Sequence, residues 1–204
     1  MGTAVALVAK EDLENTNQIY DDNKTGISFV ADWRPLSDQE MLTLMGELAA
    51  IIGSMETSVA DPISAVCNVM SELESSGWYA KDRSNVYYLP VPGTGMICPD
   101  DPNVVFIALN RKPATLAHEL GHSLSLLGAW GHTNDVPGFG PDNVMWTGAP
   151  DVRDHFSLGQ AFRQNLEPAS SINVNQVSQG PTRSCPLTLD SSACPPLVHD
   201  WPRP

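Results

Sequence analysis

The stretch TLAHELGHSLSLLG, residues 115–128, decides how the rest of the chain is read. His118 and His122 are four apart, so on a helix both imidazoles leave the same face one turn apart, within reach of a single metal ion. Leu116, Leu120, Leu124 and Leu127 recur at spacings of four, four and three. They centre on the opposite face. One helix thereby offers a face for the core and a face for a metal. Pro113 suits its first turn, and Gly128 is expected to end it.

Glu119 lies at the flank of the histidine face, where a carboxylate reaches a metal-held water without ligating the ion. The chemistry requires that division. Zinc with three protein ligands keeps one position for water and acidifies it towards neutrality. The carboxylate takes the proton during attack on a carbonyl and returns it to the leaving amine. Aspartate would be too short, and glutamine could not accept the proton.

Working outward, residues 103–109 (NVVFIAL) form an almost unbroken apolar run, as a buried strand should. Residues 85–90 (NVYYLP) and 26–32 (GISFVAD) also read as strands. Residues 12–20 read as a short helix. Ser37 followed by Glu40 makes an S-x-x-E capping box for a helix to about residue 52, and residues 64–74 add a further helical stretch. Past Gly128 the composition turns to Gly, Pro, Asn and Asp, so 128–154 is a long irregular loop. Helical spacing returns over 154–166 through Phe156, Leu158, Phe162 and Leu166. Strands and helices interleave, which predicts an α/β or α+β domain.

These residues resemble the metzincin clan of zinc peptidases, which share H-E-x-x-H-x-x-G-x-x-H followed by a methionine-containing turn. HELGH, residues 118–122, matches in full. Gly128 resembles the glycine that ends the helix, and His132 the third zinc ligand. DNVMW, residues 142–146, resembles the Met-turn, with Met145 as a hydrophobic floor beneath the metal. The helix over 154–166 resembles the C-terminal helix of that clan. The resemblance spans about residues 85–166; the N-terminal third carries no motif. It implies a zincin-like α+β fold: a mixed twisted sheet, an active-site helix, and a C-terminal subdomain holding the Met-turn and a final helix. Residues 1–167 would be the catalytic domain, divided near residue 128, and 168–204 a Pro-rich tail.

The chain departs from the pattern in one place. Nine residues separate His122 from His132, where the clan has five, and Gly128 falls six after His122 instead of three. Four extra residues are about one helical turn. A helix one turn longer, with a return through Ala129, Trp130 and Gly131, would bring His132 back to the metal. Asp135 is the alternative third ligand, since aspartate also binds zinc, and His155 is a further competitor. By the same resemblance residues 147–156 would wall the pocket for the substrate side chain. Arg153 there would favour acidic or polar groups, although a surface pairing with Asp151 or Asp154 is the plainer expectation.

The formal charge of −13, with eleven Lys and Arg spread along 204 residues, excludes a general nucleic-acid binder. No apolar run approaches membrane-spanning length. Four cysteines without a CxxC pair argue against a thiolate zinc site. They suggest two disulfides, Cys185–Cys194 across a short tail loop and Cys67–Cys98, and hence a secreted or periplasmic protein. The N-terminus lacks the basic and apolar regions of a secretion signal.

The expectation is a monomeric zinc endopeptidase with one catalytic Zn2+, acting on a protein or peptide substrate, with no nucleic-acid or membrane partner. A zinc hydrolase of a non-protein amide and a catalytically silent zincin-fold binding module remain alternatives. Intact Glu119 argues against the last. Calcium has no support beyond the charge of Asp21-Asp22 and Asp100-Asp101, for which solvated turns are the plainer reading.

Overall fold

A computed structural model describes residues 2–34, 77–89, 94–98, 101–127, 131–134, 138–147, 153–167 and 170–174, with isolated positions between 37 and 74. In chain order the described elements are α1 (Gly2–Asp22), β1 (Asn85–Leu89), β2 (Gly95–Cys98), β3 (Asp101–Ala108), α2 (Thr115–Ser123), α3 (Leu158–Leu166) and the short α4 (Ser171–Val174). The fold has mixed α/β content. None of the described helices is long and apolar enough to cross a membrane.

The sheet has the order β1-β3-β2, with β1 parallel and β2 antiparallel to β3. Central β3 is buried from Asn103 to Ala108, as its apolar run predicts. β2 falls where no strand is expected from the sequence. It is pinned by pairing of Met96 with Phe106 and by a disulfide from Cys98 to Cys67, whose Cα atoms lie 5.5 Å apart. That is an ordinary span for a bridge, and it is the expected pairing. Cys185 and Cys194 lie outside the described residues.

α2 is buried along its whole length. Leu116 and Leu120 pack on Val105 and Ile107 of the sheet. Ala114, Ala117 and Leu124 meet Ile19, Tyr20, Val144, Met145 and Phe156 on the other side. The helix that carries the histidines is therefore clamped between two apolar clusters, which fixes its rotation about its own axis.

α1 is longer than the helix expected over 12–20. Its buried stripe is Ala9, Asp12, Thr16, Ile19 and Tyr20, a helical spacing with two polar members. Asp12 accepts two bonds from Arg111, at 2.8 and 2.9 Å, and one from the Tyr88 hydroxyl at 2.9 Å. A buried carboxylate is tolerated here because every bond it accepts is charge-assisted or phenolic. These contacts tie α1 to β1 and to the loop ahead of α2.

The strand expected over 26–32 does not form. Asn17 supplies what a partner strand would: its Nδ2 donates to the Phe29 carbonyl at 2.9 Å, and its Oδ1 accepts from the Phe29 amide at 2.7 Å. One side-chain amide satisfies both backbone groups, and the segment stays outside the sheet. The expected capping box at Ser37 is present. The Ser37 amide donates to Glu40 Oε2 at 2.8 Å, and the Glu40 amide to Ser37 Oγ at 3.2 Å. Most of the helix body behind it, and most of 64–74, lies outside the described residues.

α2 ends at Ser123, well before Gly128, with Leu124 as its C-cap. The Leu126 amide donates to the Gly121 carbonyl and the Ser125 amide to the His122 carbonyl, both at 2.9 Å. This is a Schellman motif, and its left-handed residue is Ser125, with φ 69°. The chain therefore turns three residues after His122, where the clan pattern has its glycine, but with a serine. Leu127, past the turn, is 43 % exposed and not part of the core. α2 therefore gains no extra helical turn, and residues 128–130, ahead of His132, lie outside the described residues.

A non-glycine residue in this region carries roughly 1–2 kcal/mol of steric cost. Ser125→Gly should therefore raise unfolding stability by about 1 kcal/mol. Denaturant titration of the metal-free protein checks this; an unchanged or lower midpoint would count against the left-handed turn.

α3 begins at Leu158 rather than at residue 154, because Ser157 and Gln160 form a reciprocal capping box. Its buried side is largely polar: Gln160, Arg163 and Gln164 are enclosed, while Phe162 is 40 % exposed. Arg163 pairs with Glu167 at 3.4 Å.

Candidate metal centre

Three imidazoles converge at the open end of this framework. His118 and His122 come from α2 and are buried; His132 comes from the following segment and is exposed. One ring nitrogen from each lies within 4.8 Å of the others. Among the described residues this is the only group of His, Cys, Asp or Glu with such a geometry. His122 and His132 have ring centroids 5.0 Å apart, and His118 and His132 5.8 Å apart.

Main-chain carbonyls orient the two buried rings. His118 Nδ1 donates to the Val144 carbonyl and His122 Nδ1 to the Leu126 carbonyl, each at 2.8 Å. A carbonyl only accepts, so Nδ1 carries the proton in both rings and Nε2 carries a lone pair. The two Nε2 atoms then face each other at 3.2 Å. Burial drives His118 down to about 3, helped by the neighbouring His122, and burial likewise drives His122 down to about 4. Both rings stay neutral near pH 7, so neither has a proton for the other. Two inward lone pairs with no donor between them suit a divalent cation, and the donor set fits one that favours nitrogen ligands.

The supports of those carbonyls are specific. Leu126 is the residue after the left-handed turn, so the motif that ends α2 also positions the acceptor for His122. Val144 is held by Asn143, which is buried. Asn143 Oδ1 accepts from the Met145 amide at 3.0 Å, and its Nδ2 donates to Gln160 Oε1 at 2.9 Å. The same Gln160 oxygen accepts from the Ser157 amide at 2.9 Å. The capping box of α3 thereby locks the turn under the histidines. Outer partners of this type fix the tautomer and aim of a ligand.

Met145 is fully buried in that turn. A Cβ placed on Gly121 would stand 2.6 Å from its Sδ, so the absence of a side chain at 121 lets the methionine pack directly beneath the helix. Gly131 serves the other approach. A Cβ there would collide with the Leu126 carbonyl oxygen and come within 3.1 Å of His122 Cε1. Only glycine lets the chain lie this close to the end of α2 before delivering His132.

No family model, curated protein or solved structure matches this chain. The site has to be read from its own chemistry.

Glu119 is also enclosed, 5 % exposed, on the turn between the two buried histidines. Its carboxylate accepts no hydrogen bond from the described residues. Burial pushes its carboxyl up to about 8, opposed by the positive charge of Arg153. Arg153 is itself buried, with Nη1 donating to the Trp146 carbonyl at 2.9 Å, which corrects the expectation of a surface arginine.

Asp135 lies outside the described residues. His155 is not in the histidine group; its main chain bonds to the turn, accepting from the Val144 amide at 2.8 Å. Asp101 opens β3 instead of standing in a solvated turn, engaged by the Tyr79 hydroxyl at 2.7 Å and the Asn103 amide at 2.9 Å; Asp100 lies outside the described residues. Sequence reasoning missed Asn143 and Gln160. The S-x-x-Q of residues 157–160 was the available signal for the second.

Proposed function

We propose that this chain is a zinc-dependent endopeptidase, with His118, His122 and His132 as ligands of one Zn2+ and Glu119 as general base and acid. The observation that carries this reading is the convergence of three imidazole nitrogens, two of them lone-pair-inward and carried by a helix that also encloses the Glu119 carboxylate between its two histidines in sequence. A zincin-like α+β domain with Met145 as the floor of the site is part of the same proposal, as is work outside the cytosol, consistent with the Cys67–Cys98 bridge.

When bound, zinc supplies Lewis acidity that polarises a water and the scissile carbonyl. The protein's own groups do the rest. His118 and His122 are held rigid by backbone carbonyls, so the site needs little reorganisation. Glu119 accepts the proton of the attacking water and delivers it to the leaving amine. Its enclosure raises its affinity for that proton, which suits the return step, while the positive charge of Arg153, and of a cation when bound, would favour the ionised form that must accept the proton first.

A peptide, rather than a small amide, is favoured by β2. Among the described residues this strand pairs on one side only, and its first residue lies against Glu119. An open strand edge beside the site offers main-chain groups to an extended substrate. Incubation of the zinc-loaded protein with a mixed peptide library should give internal cleavage with a readable side-chain preference, abolished by a chelator. An intact library, with cleavage only of small amides, would overturn the peptidase reading.

A further inference from the structure

Gly95 opens β2 and faces α2. A Cβ built there would stand 2.8 Å from Glu119 Cγ, 2.9 Å from Glu119 Oε1 and 2.7 Å from Thr115 Cγ2. Side chains do not tolerate such distances, so either the strand or Glu119 would have to move. The strand is held at both ends. The Ala108 amide donates to the Thr94 carbonyl at 3.0 Å, and Cys98 is bridged to Cys67. α2 is packed on both sides by the core, so its backbone has no room to retreat. The Glu119 side chain is the part free to yield, because no hydrogen bond from the described residues fixes its carboxylate.

We propose that Gly95 is a positioning residue for Glu119: the space left by its missing side chain is the seat of the carboxylate. The role rests on the proposed catalytic use of Glu119, but the seat itself is a property of the fold. Glu119 is then aimed by shape, with β2 as a wall on one side of it. A single methyl group on that wall would rotate the carboxylate out of that seat. The ligands themselves should be untouched, since none of the three atoms nearest a Cβ at 95 belongs to a histidine.

The Thr115 contact must be separated from the Glu119 contact. Thr115→Ser removes Cγ2 and keeps the hydroxyl that accepts from the Lys112 amide at 3.0 Å. In that background a double-mutant cycle of Gly95→Ala with Glu119→Ala, read by denaturation midpoint in the metal-free protein, tests the seat without any turnover. Gly95→Ala should lower the midpoint when Glu119 is present, and about half or more of that drop should disappear when it is absent. Should Gly95→Ala fold only in the Glu119→Ala background, the seat is equally supported. An equal drop in both backgrounds, or failure to fold in both, would overturn it.

The kinetic arm uses the zinc-loaded protein. Gly95→Ala, with or without Thr115→Ser, should lose roughly 10²-fold in kcat, the cost of a misplacement near 1 Å, with KM and zinc content unchanged. Full kcat in that variant would refute the positioning role. If the unmodified protein hydrolyses nothing, the catalytic reading of Glu119 fails while the stability cycle still reports on the seat.

Discussion

Glu119→Gln should leave the protein folded and zinc-loaded while reducing peptide hydrolysis by about 10²–10⁴-fold. The replacement keeps the shape of the side chain and removes only the capacity to take a proton. No ligand is lost, because the group that can hold a metal is made of the three histidines. No described hydrogen bond is lost either, so the unfolding midpoint should move little. The decisive comparison is kcat against zinc content in one preparation. Retained zinc with wild-type turnover would remove Glu119 from the mechanism. Lost zinc would make it a ligand, which its place outside the histidine cluster argues against.

His122→Ala should have the larger effect on the protein itself. His122 is a member of the three-nitrogen group, and its Nδ1 bond to Leu126 joins the metal site to the turn that ends α2. A ligand that binds only the folded state stabilises it by about 4 kcal/mol at a thousandfold excess over its Kd. For a domain of this size that corresponds to a rise in Tm of roughly 8–16 °C on adding zinc. The variant should lose essentially all of this rise, and its own Tm without zinc should fall as the Leu126 carbonyl loses its donor. His155→Ala should keep the zinc-dependent rise, because only its main chain supports the turn. If His122→Ala responds to zinc as the unmodified protein does, the ion binds elsewhere.

The legible parts of the sequence were those where one property repeats. The four-residue spacing of His118 and His122 against the leucines fixed the orientation of α2, and the apolar run ahead of it marked β3. Met145 was readable because a lone methionine stood in a polar loop. The misreadings come from side chains that imitate or replace the backbone. Asn17 bonds both polar groups of Phe29 and removes the need for a strand there. Ser125 takes a left-handed conformation normally left to glycine, so the end of α2 was sought at Gly128. Asp12 hides the buried face of α1 because its partners, Tyr88 and Arg111, are far along the chain. Asn143 and Gln160 support the site through one reciprocal amide pair, which no local pattern around Asn143 announces.

Nine residues separate His122 from His132, and the described ones show how the chain reaches back. α2 ends at Ser123, the Schellman turn closes it at once, and residues 128–130 lie outside the described residues. Gly131 then passes against the Leu126 carbonyl to set His132 beside the other two rings. The proposed third ligand depends on a close backbone approach, whereas the first two proposed ligands depend on helix periodicity. That difference is why the sequence spoke plainly for His118 and His122 and left Asp135 and His155 in contention.

Zinc-edge X-ray absorption of the purified, zinc-loaded protein, compared with its His132→Ala variant, puts the central claim to the most direct test. Three imidazole nitrogens at about 2.0–2.1 Å are expected in the unmodified protein, and two in the variant. A spectrum of two imidazoles and a carboxylate that His132→Ala leaves unchanged would contradict it, as would a protein that retains no zinc at neutral pH.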